Sequence, residues 1–489
     1  MIKNERQYKI TKSQAEKFRQ ALDDFDNGTE TNIHPLLVKA QKDSLMSQYD
    51  ELYLQIEEYE ALKSGQRQVL ENIAWEDLPR ALIQARIASG LTQKDLADRI
   101  GMKEQQIQRY EMQEYATASF DRLKEIIQAL DINVQENVYL TGHTDSVSNI
   151  FSRLKEIGLD RSFILNRILP KNLVALIEQE NNGEISGNLA VQVATSIARV
   201  FSWSPTSILT AQPLRLNPAF ASVARFKTTT QVEERKFQAY VVYAHLLSLI
   251  TLEASKSLVA KKIPDDPIEV RENILSNYGE ISLENALHYV WDLGIPVLPL
   301  KDSGAFHGAC WRFGGRNIIV LKQRTSLFAR WLFDLLHELY HSGQEIDKDE
   351  YSVIEEDPIS IEHQVSYEEE NANAWAHDVT LAGRAEELTQ MCNSEAQGKL
   401  PVYKRIVPTI AAREGFNVGD LANYIAYRLA KYDHQDWWGT AHNLQISNGD
   451  PWSVAREVFF SRVNIRGLNS NDRDLLLRAM DDQMETEDG

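Results

Sequence analysis

The chain has 489 residues and carries 71 acidic against 52 basic side chains, a formal net charge of −19 at pH 7. That length exceeds a single compact core and predicts several domains. The charge excludes a nucleic-acid footprint spread over the whole molecule, though not one locally less acidic module.

A hydrophobic share of 43% with 25% charged residues fits a globular protein in water. No run of about 18 apolar residues stands out, and no signal-peptide core follows Met1-Ile2-Lys3-Asn4-Glu5. The expectation is a cytoplasmic protein without a membrane partner. Cys310 and Cys392 belong to no Cys-x-x-Cys pair. That suits a reducing compartment and argues against cysteine-ligated zinc.

Residues 1–75 read as helical. Leu45, Tyr49, Leu52, Ile56 and Tyr59 form a heptad-like stripe ending near Ser64-Gly65. It serves either packing within its own domain or self-association.

Residues 76–135 hold the first informative stretch. Leu82, Ile83 and Ile87 give one helical face, which Gly90 ends. Thr92, with Asp95 three residues on, predicts a capping box for the next helix. Leu96, Ala97 and Ile100 face inward and Gly101 supplies the turn. A third helix from Lys103 to Glu111 anchors on Ile107 and shows Lys103, Gln105, Gln106, Gln108 and Arg109 outward. Amides and guanidinium groups are the side chains that bond base edges in a major groove.

The Leu-Thr-Gln…Leu-Ala…Gly…Ile…Tyr-Glu pattern resembles the Xre/Cro-type helix-turn-helix family over about 55 residues. The resemblance implies a five-helix domain in which Gln93 and the exposed residues of the third helix meet double-stranded DNA. From Arg80 to Leu130, eight bases oppose seven acids, a net of +1. So weak a local charge predicts modest phosphate affinity, to which a homodimer or a second module would have to add. Service as a protein-docking module is the competing reading.

Residues 140–212 repeat the helical style and resemble a diverged Xre-like bundle in Ala194–Leu209. They lack the Thr-Gln and Tyr-Glu marks, which favours a structural or ligand-sensing bundle. Pro213–Thr230 reads as a linker, followed by an apolar-rich helix, so that 213–263 joins to the next domain. Within 264–445, Ile281–Leu293 is predicted helical and Gly294–Leu300 extended. Ala309–Phe313 and Arg316–Leu321 flank Gly314-Gly315 as a hairpin. Residues 446–489 form a helical extension with an acidic tail from Asp481.

The stretch Trp331–Gly343 carries the chemistry. In a helix, His337 and His341 lie on one face a turn apart, as two corners of a tetrahedral metal site. Glu338 can reach water at such a metal. The surrounding leucines and aromatics predict a buried helix, where unpaired polar groups cost roughly 1–3 kcal/mol each. A bound cation removes that cost.

One protein ligand remains to be found among His363, Glu368, Glu369, Glu370 and His377. Ala372 and Ala376 would let the helix from Tyr367 pack closely on the metal helix. Glu369 and Asn373, four apart beside them, would then point the same way, with Glu369 as ligand and Asn373 hydrogen-bonded to an imidazole. From Glu345 to Glu370 eleven carboxylates face one base, Lys348. Such a run reads as a solvated loop that could favour basic substrate segments.

The pair His337-Glu-Leu-Tyr-His341 and Glu369-Glu-Asn-Ala-Asn-Ala-Trp-Ala376 resembles the ImmA/IrrE family of metallopeptidases over roughly 170 residues. The resemblance implies a gluzincin-like zinc peptidase, often joined to an Xre-type repressor, that cleaves a repressor or antitoxin in a stress, mobile-element or phage-defence response. Zn²⁺ would be held by His337, His341 and Glu369, with another divalent ion such as Mn²⁺ as an alternative, and Glu338 would act as general base. Tyr340, Trp375 and the run Ala376–Leu381 depart from the family pattern, and the bulk of Tyr340 narrows the expected cleft. Tyr351, His363, His307 and His377 are candidates for stabilising the oxyanion, and Asn317–Leu321 for an edge strand that pairs with substrate.

The fold class expected is mainly α with a small β-sheet, helical and helix-turn-helix modules preceding a zincin-like α+β domain. A different class of function is a transcriptional regulator or antitoxin whose metal site senses or stabilises. A fourth ligand such as His363 would favour a structural site.

Overall fold

The computed structural model describes residues 1–27, 35–64, 78–132, 134, 146–180, 187–210, 213–216, 231–301, 306–323, 325–356, 367–445 and 449–481. The chain divides into two compact units, Met1–Val138 and Tyr139–Gly489. The described residues are mainly α-helical with one mixed four-stranded sheet.

The first unit opens with helices α1 (Glu5–Asn27) and α2 (Pro35–Lys63), followed by α3 (Leu78–Ala88), α4 (Gln93–Arg99), α5 (Glu104–Met112) and α6 (Phe120–Ala129). Ile56 and Tyr59 of the heptad-like stripe are buried with Leu82, Ile83, Leu96, Ile107 and Ile126 in a single core. The stripe at the end of α2 therefore packs inside its own unit. The reason lies in area, since two helices alone bury too little apolar surface to stand independently. Gly90 and Gly101, each at φ +69°, make the two turns around α4. Thr92 and Asp95 form the reciprocal capping box. Of the five helices expected in 76–135, the described residues hold four, α3 to α6.

The second unit begins with α7 (Val147–Glu156), then α8 (Arg161–Phe163) running into a π-helical turn at Ile164–Ile168, α9 (Lys171–Glu180), α10 (Gly187–Phe201) and α11 (Pro205–Leu209). The long α12 (Gln231–Ala254), α13 (Pro267–Tyr278) and α14 (Leu283–Asp292) lead into strand β1 (Val297–Leu300), and the hairpin β2 (Phe306–Phe313) and β3 (Arg316–Lys322) follows. Next come α15 (Phe328–Ser342), β4 (Tyr351–Glu356) and the helices α16 (Tyr367–Leu381), α17 (Ala385–Ala396), α18 (Leu400–Glu414), α19 (Val418–Tyr432), α20 (Trp438–Leu444), α21 (Pro451–Arg462) and α22 (Ser470–Ala479).

Residues 140–212 and 446–489 do not form cores of their own. One continuous apolar cluster runs from Val147 through α12, the sheet and α15 to Met480. Arg167 donates to the Arg478 carbonyl at 2.9 Å, and the Trp452 indole donates to the Pro299 carbonyl at 3.3 Å. A second cluster, from Leu381 to Ala441, gathers α17 to α20. Most of the linker at 213–230 and the tail at 482–489 lie outside the described residues.

The strand order is β1-β3-β2-β4, with β1 parallel to β3 and the other pairs antiparallel. Gly314 and Gly315, both with positive φ, join β2 to β3 in a two-residue turn. This order corrects the placing of Asn317–Leu321 at an edge: among the described residues β3 is interior, and β1 and β4 are the edges. The acidic run also holds more structure than a solvated loop. Tyr351, Val353 and Ile354 give it β-forming side chains, and β4 pairs with β2 there.

The sheet lies between two helices. Gly308, Cys310 and Arg312 of β2 face α15. Trp311 and Phe313 meet His245 of α12 with ring centroids 6.2 and 4.9 Å apart. A register irregularity between Phe306 and Ala309 lets Phe306 share the α12 face, against Phe237 and Tyr240. By length and composition Glu234–Ala254 would suffice to cross a membrane, but 72% of its most apolar window is buried inside the protein.

Candidate functional site

Helix α15 buries all three of its motif side chains. Much of the rest of the helix is apolar, with Trp331, Leu335, Leu336 and Leu339 nearly inaccessible. His337 and His341 project one turn apart toward α16, and their Nε2 atoms are 3.0 Å from each other. Two imidazole lone pairs at that distance repel unless a proton or a cation lies between them. Ala372 and Ala376, both fully buried, bring α16 close enough for Glu369 to reach both rings. Its Oε2 lies 3.2 Å from His337 Nε2 and its Oε1 3.5 Å from His341 Nε2.

The ligand atoms of His337, His341 and Glu369 all fall within 4.8 Å of one another. A tetrahedral ion with ligands at 2.0–2.1 Å spaces them about 3.3–3.4 Å apart. Edges of 3.0, 3.2 and 3.5 Å fit such an ion, and nitrogen and oxygen donors suit zinc. Burial acts to raise the Glu369 pKa, but hydrogen bonding and charge attraction from His337 and His341 outweigh it. The carboxyl is held well below its usual range and stays ionised.

Glu338 is fully buried next to this triangle. Gly308 makes room for it, because a Cβ there would overlap the carboxylate, with Cγ and Cδ only 3.0 and 2.9 Å away. A glycine inside an otherwise apolar strand signals such an approach. Sequence reasoning passed over this signal.

It also missed Arg312. From β2 its guanidinium donates to the carbonyls of Ser342, Gln344 and Glu345 at 2.9, 2.9 and 2.6 Å. Asn317 donates to the Ser342 carbonyl as well, and accepts from Arg312 Nε at 2.7 Å. Together they satisfy the carboxyl-terminal end of α15 directly after His341, where a cation also complements the helix dipole.

Other expected residues fall elsewhere. Asn373 is half-buried and makes no hydrogen bond to either imidazole among the described residues. The carboxylate that approaches an imidazole nitrogen on the far side from the triangle is Glu368, whose Oε1 lies 3.5 Å from His341 Nδ1. His377 stands outside the triangle, packed against Phe333 and Tyr424 with ring centroids 4.7 and 4.8 Å away. Burial, with help from Arg330 and His337, pushes its pKa down to about 3, so it is neutral at physiological pH. The Tyr351 phenol donates to Glu368 at 3.0 Å. His363 and the His307 side chain lie outside the described residues. Tyr340 turns toward Trp375, with centroids 6.1 Å apart, so its bulk sits between α15 and α16.

In the first unit, Lys103, Gln105, Gln106, Gln108 and Arg109 are all exposed along α5, while Ile107 is fully buried beneath them. A helix-turn-helix family model matches residues 82–137. Residues 82–137 are a helix-turn-helix module of the Xre/Cro type. No curated protein and no solved structure matches the chain.

Gln93 departs from the rest of the expected DNA-facing set. It is 8% exposed, its Nε2 donates to Glu111 Oε2 at 2.7 Å, and Asn4 donates to its Oε1 at 3.4 Å. The cause is Glu111, a fully buried carboxylate that needs several donors. Arg86 supplies two more, at 2.5 and 2.9 Å, and also donates to the carbonyls of Leu91 and Lys3. Lys3 in turn donates from Nζ to the Glu111 carbonyl at 2.6 Å. The start of the chain is thereby tied to the carboxyl-terminal end of α5.

Proposed function

We propose that this chain is a DNA-binding regulator whose second unit is a zinc endopeptidase of the ImmA/IrrE kind, acting in the cytoplasm on a repressor or antitoxin. The observation that carries the enzymatic part is the triangle of His337, His341 and Glu369 with buried Glu338 beside it. A bound Zn²⁺, or Mn²⁺ in its place, would supply Lewis acidity, polarising a scissile carbonyl and acidifying water. Glu338 takes the proton from the attacking water and delivers it to the leaving amine. Arg312 and Asn317 keep the last turn of α15, and so His341, in place. Strand β4, an edge strand, takes over the role of pairing with an extended substrate backbone.

The helix-turn-helix would bring this activity to an operator in a stress, mobile-element or phage-defence response, with dimerisation offsetting its weak net charge. A second reading is a regulator or antitoxin whose metal site only senses or stabilises. It is supported by the helix-turn-helix match at residues 82–137.

The test combines metal analysis with cleavage of a protein encoded beside this chain, co-expressed with it. Wild-type chain is expected to hold stoichiometric zinc and to cut its partner, and His341→Ala to do neither. Wild type without metal would end the proposal, and metal without cleavage would leave the second reading. For DNA, Gln105→Ala or Arg109→Ala is expected to weaken binding to a selected operator by about 1–3 kcal/mol, roughly 5- to 150-fold. Unchanged affinity in both would remove α5 from the interface.

A further inference from the structure

Resting on the metal-site reading above, we propose that Glu368, held by Tyr351 of β4, is the positioning residue that fixes the His341 imidazole for metal binding. Glu368 stands beside the ligand Glu369 on α16 but on a different side of the histidine. Its Oε1 lies 3.5 Å from His341 Nδ1, while Glu369 faces Nε2. His341 Nδ1 has no hydrogen-bond partner among the described residues, so attraction of an Nδ1 proton to the nearby Glu368 carboxylate would favour the tautomer whose Nε2 lone pair is free for a cation.

Glu368 is half exposed and would wander if nothing held it. The same Oε1 accepts the Tyr351 phenol at 3.0 Å. Burial, reinforced by the Glu368 carboxylate, raises the Tyr351 pKa, so the phenol remains a donor. The Tyr351 ring is itself placed over the Arg312 guanidinium, 5.4 Å from its centroid. Arg312 grips the carbonyls that end α15. The contacts thus close a ring from the end of the metal helix through β2, β4 and α16 back to His341. Within it, each rigid element fixes the next one's side chain.

The edge strand is therefore coupled to the metal site through two side chains. Neighbouring Glu370 takes no part, because it turns away to pair with Lys431 at 2.9 Å.

The experiment uses the full chain as wild type, Glu368→Gln, Tyr351→Phe and Glu370→Gln. Zinc affinity is read by competition with a chromophoric chelator, and ligand geometry by the visible absorption of the Co²⁺-loaded protein. Glu368→Gln is expected to weaken zinc about 10- to 100-fold, the range seen when outer partners of ligating histidines are removed, and to shift the Co²⁺ bands. Its melting curve without metal should match wild type. Tyr351→Phe should weaken zinc in the same direction by a smaller factor, and Glu370→Gln should leave affinity and spectrum unchanged. A zinc affinity for Glu368→Gln within twofold of wild type would overturn the proposal while leaving the metal site intact. A wild type that binds neither Zn²⁺ nor Co²⁺ would instead overturn the reading on which it rests.

Discussion

Glu338→Gln is expected to abolish peptide cleavage while leaving the zinc content of the chain at the wild-type level. The amide keeps the volume that Gly308 leaves open and replaces no member of the His337, His341 and Glu369 cluster, so that cluster is expected to stand. What disappears is the carboxylate proposed to accept the proton. General-base assistance is worth about 10²–10⁴ in rate, so kcat should fall by at least that range. Stability should not fall with it. Glu338 is fully buried, and placing a charge there costs free energy that an isosteric neutral amide does not incur. The melting temperature of the metal-free protein is therefore expected to stay level or rise, the pattern of a site where function is kept at the expense of stability. The checks are zinc by elemental analysis, kcat on the cleaved partner and a thermal melt. Full cleavage by Glu338→Gln would remove Glu338 as the base, whatever the metal does.

Much of this site was legible in the sequence because helices encode spacing directly. His337 and His341 had to share a face, and Ala372 and Ala376 marked where a second helix could approach, which brings Glu369 to the rings. Glycines did the same for backbone, as Gly90, Gly101 and the Gly314-Gly315 turn show. Sheet order was not legible. Whether β3 is interior or at an edge depends on β1 and β4, which lie on either side of it in sequence and add to opposite edges of the hairpin. Side-chain choice between neighbours on one helix was equally hidden. Asn373 and Glu368 both stood near Glu369, and only the seating of α16 on α15, with Tyr351 from β4, sets Glu368 against His341. Gln93 failed for a related reason. Its sequence position suits DNA, but a buried carboxylate 18 residues away draws its amide inward.

That carboxylate gives the second large effect. Glu111→Ala is expected to destabilise the first unit by about 3–5 kcal/mol, because it strands the Arg86 guanidinium in a core with no anion beside it. Arg86 is 2% exposed and Glu111 0%, so water cannot take the missing partner's place. The loss is a large part of the roughly 5–15 kcal/mol that holds a domain together. Urea unfolding followed by far-UV circular dichroism should show an early transition at a lowered midpoint, and operator binding should fail with it. Among the described residues the partners of Glu111 belong to the first unit, so the zinc content should be unchanged. Replacing both partners, Arg86→Met with Glu111→Leu, should recover much of the stability, since apolar groups of similar size often match or exceed a buried ion pair. It should not recover the positioning, because Gln93 then loses its acceptor and is free to swing outward. Removing the exposed Lys12–Glu60 pair should change nothing measurable. If Glu111→Ala unfolds at the wild-type midpoint, the network is decoration. If the double exchange is as unstable as the single one, the cost lies in packing rather than in the stranded charge.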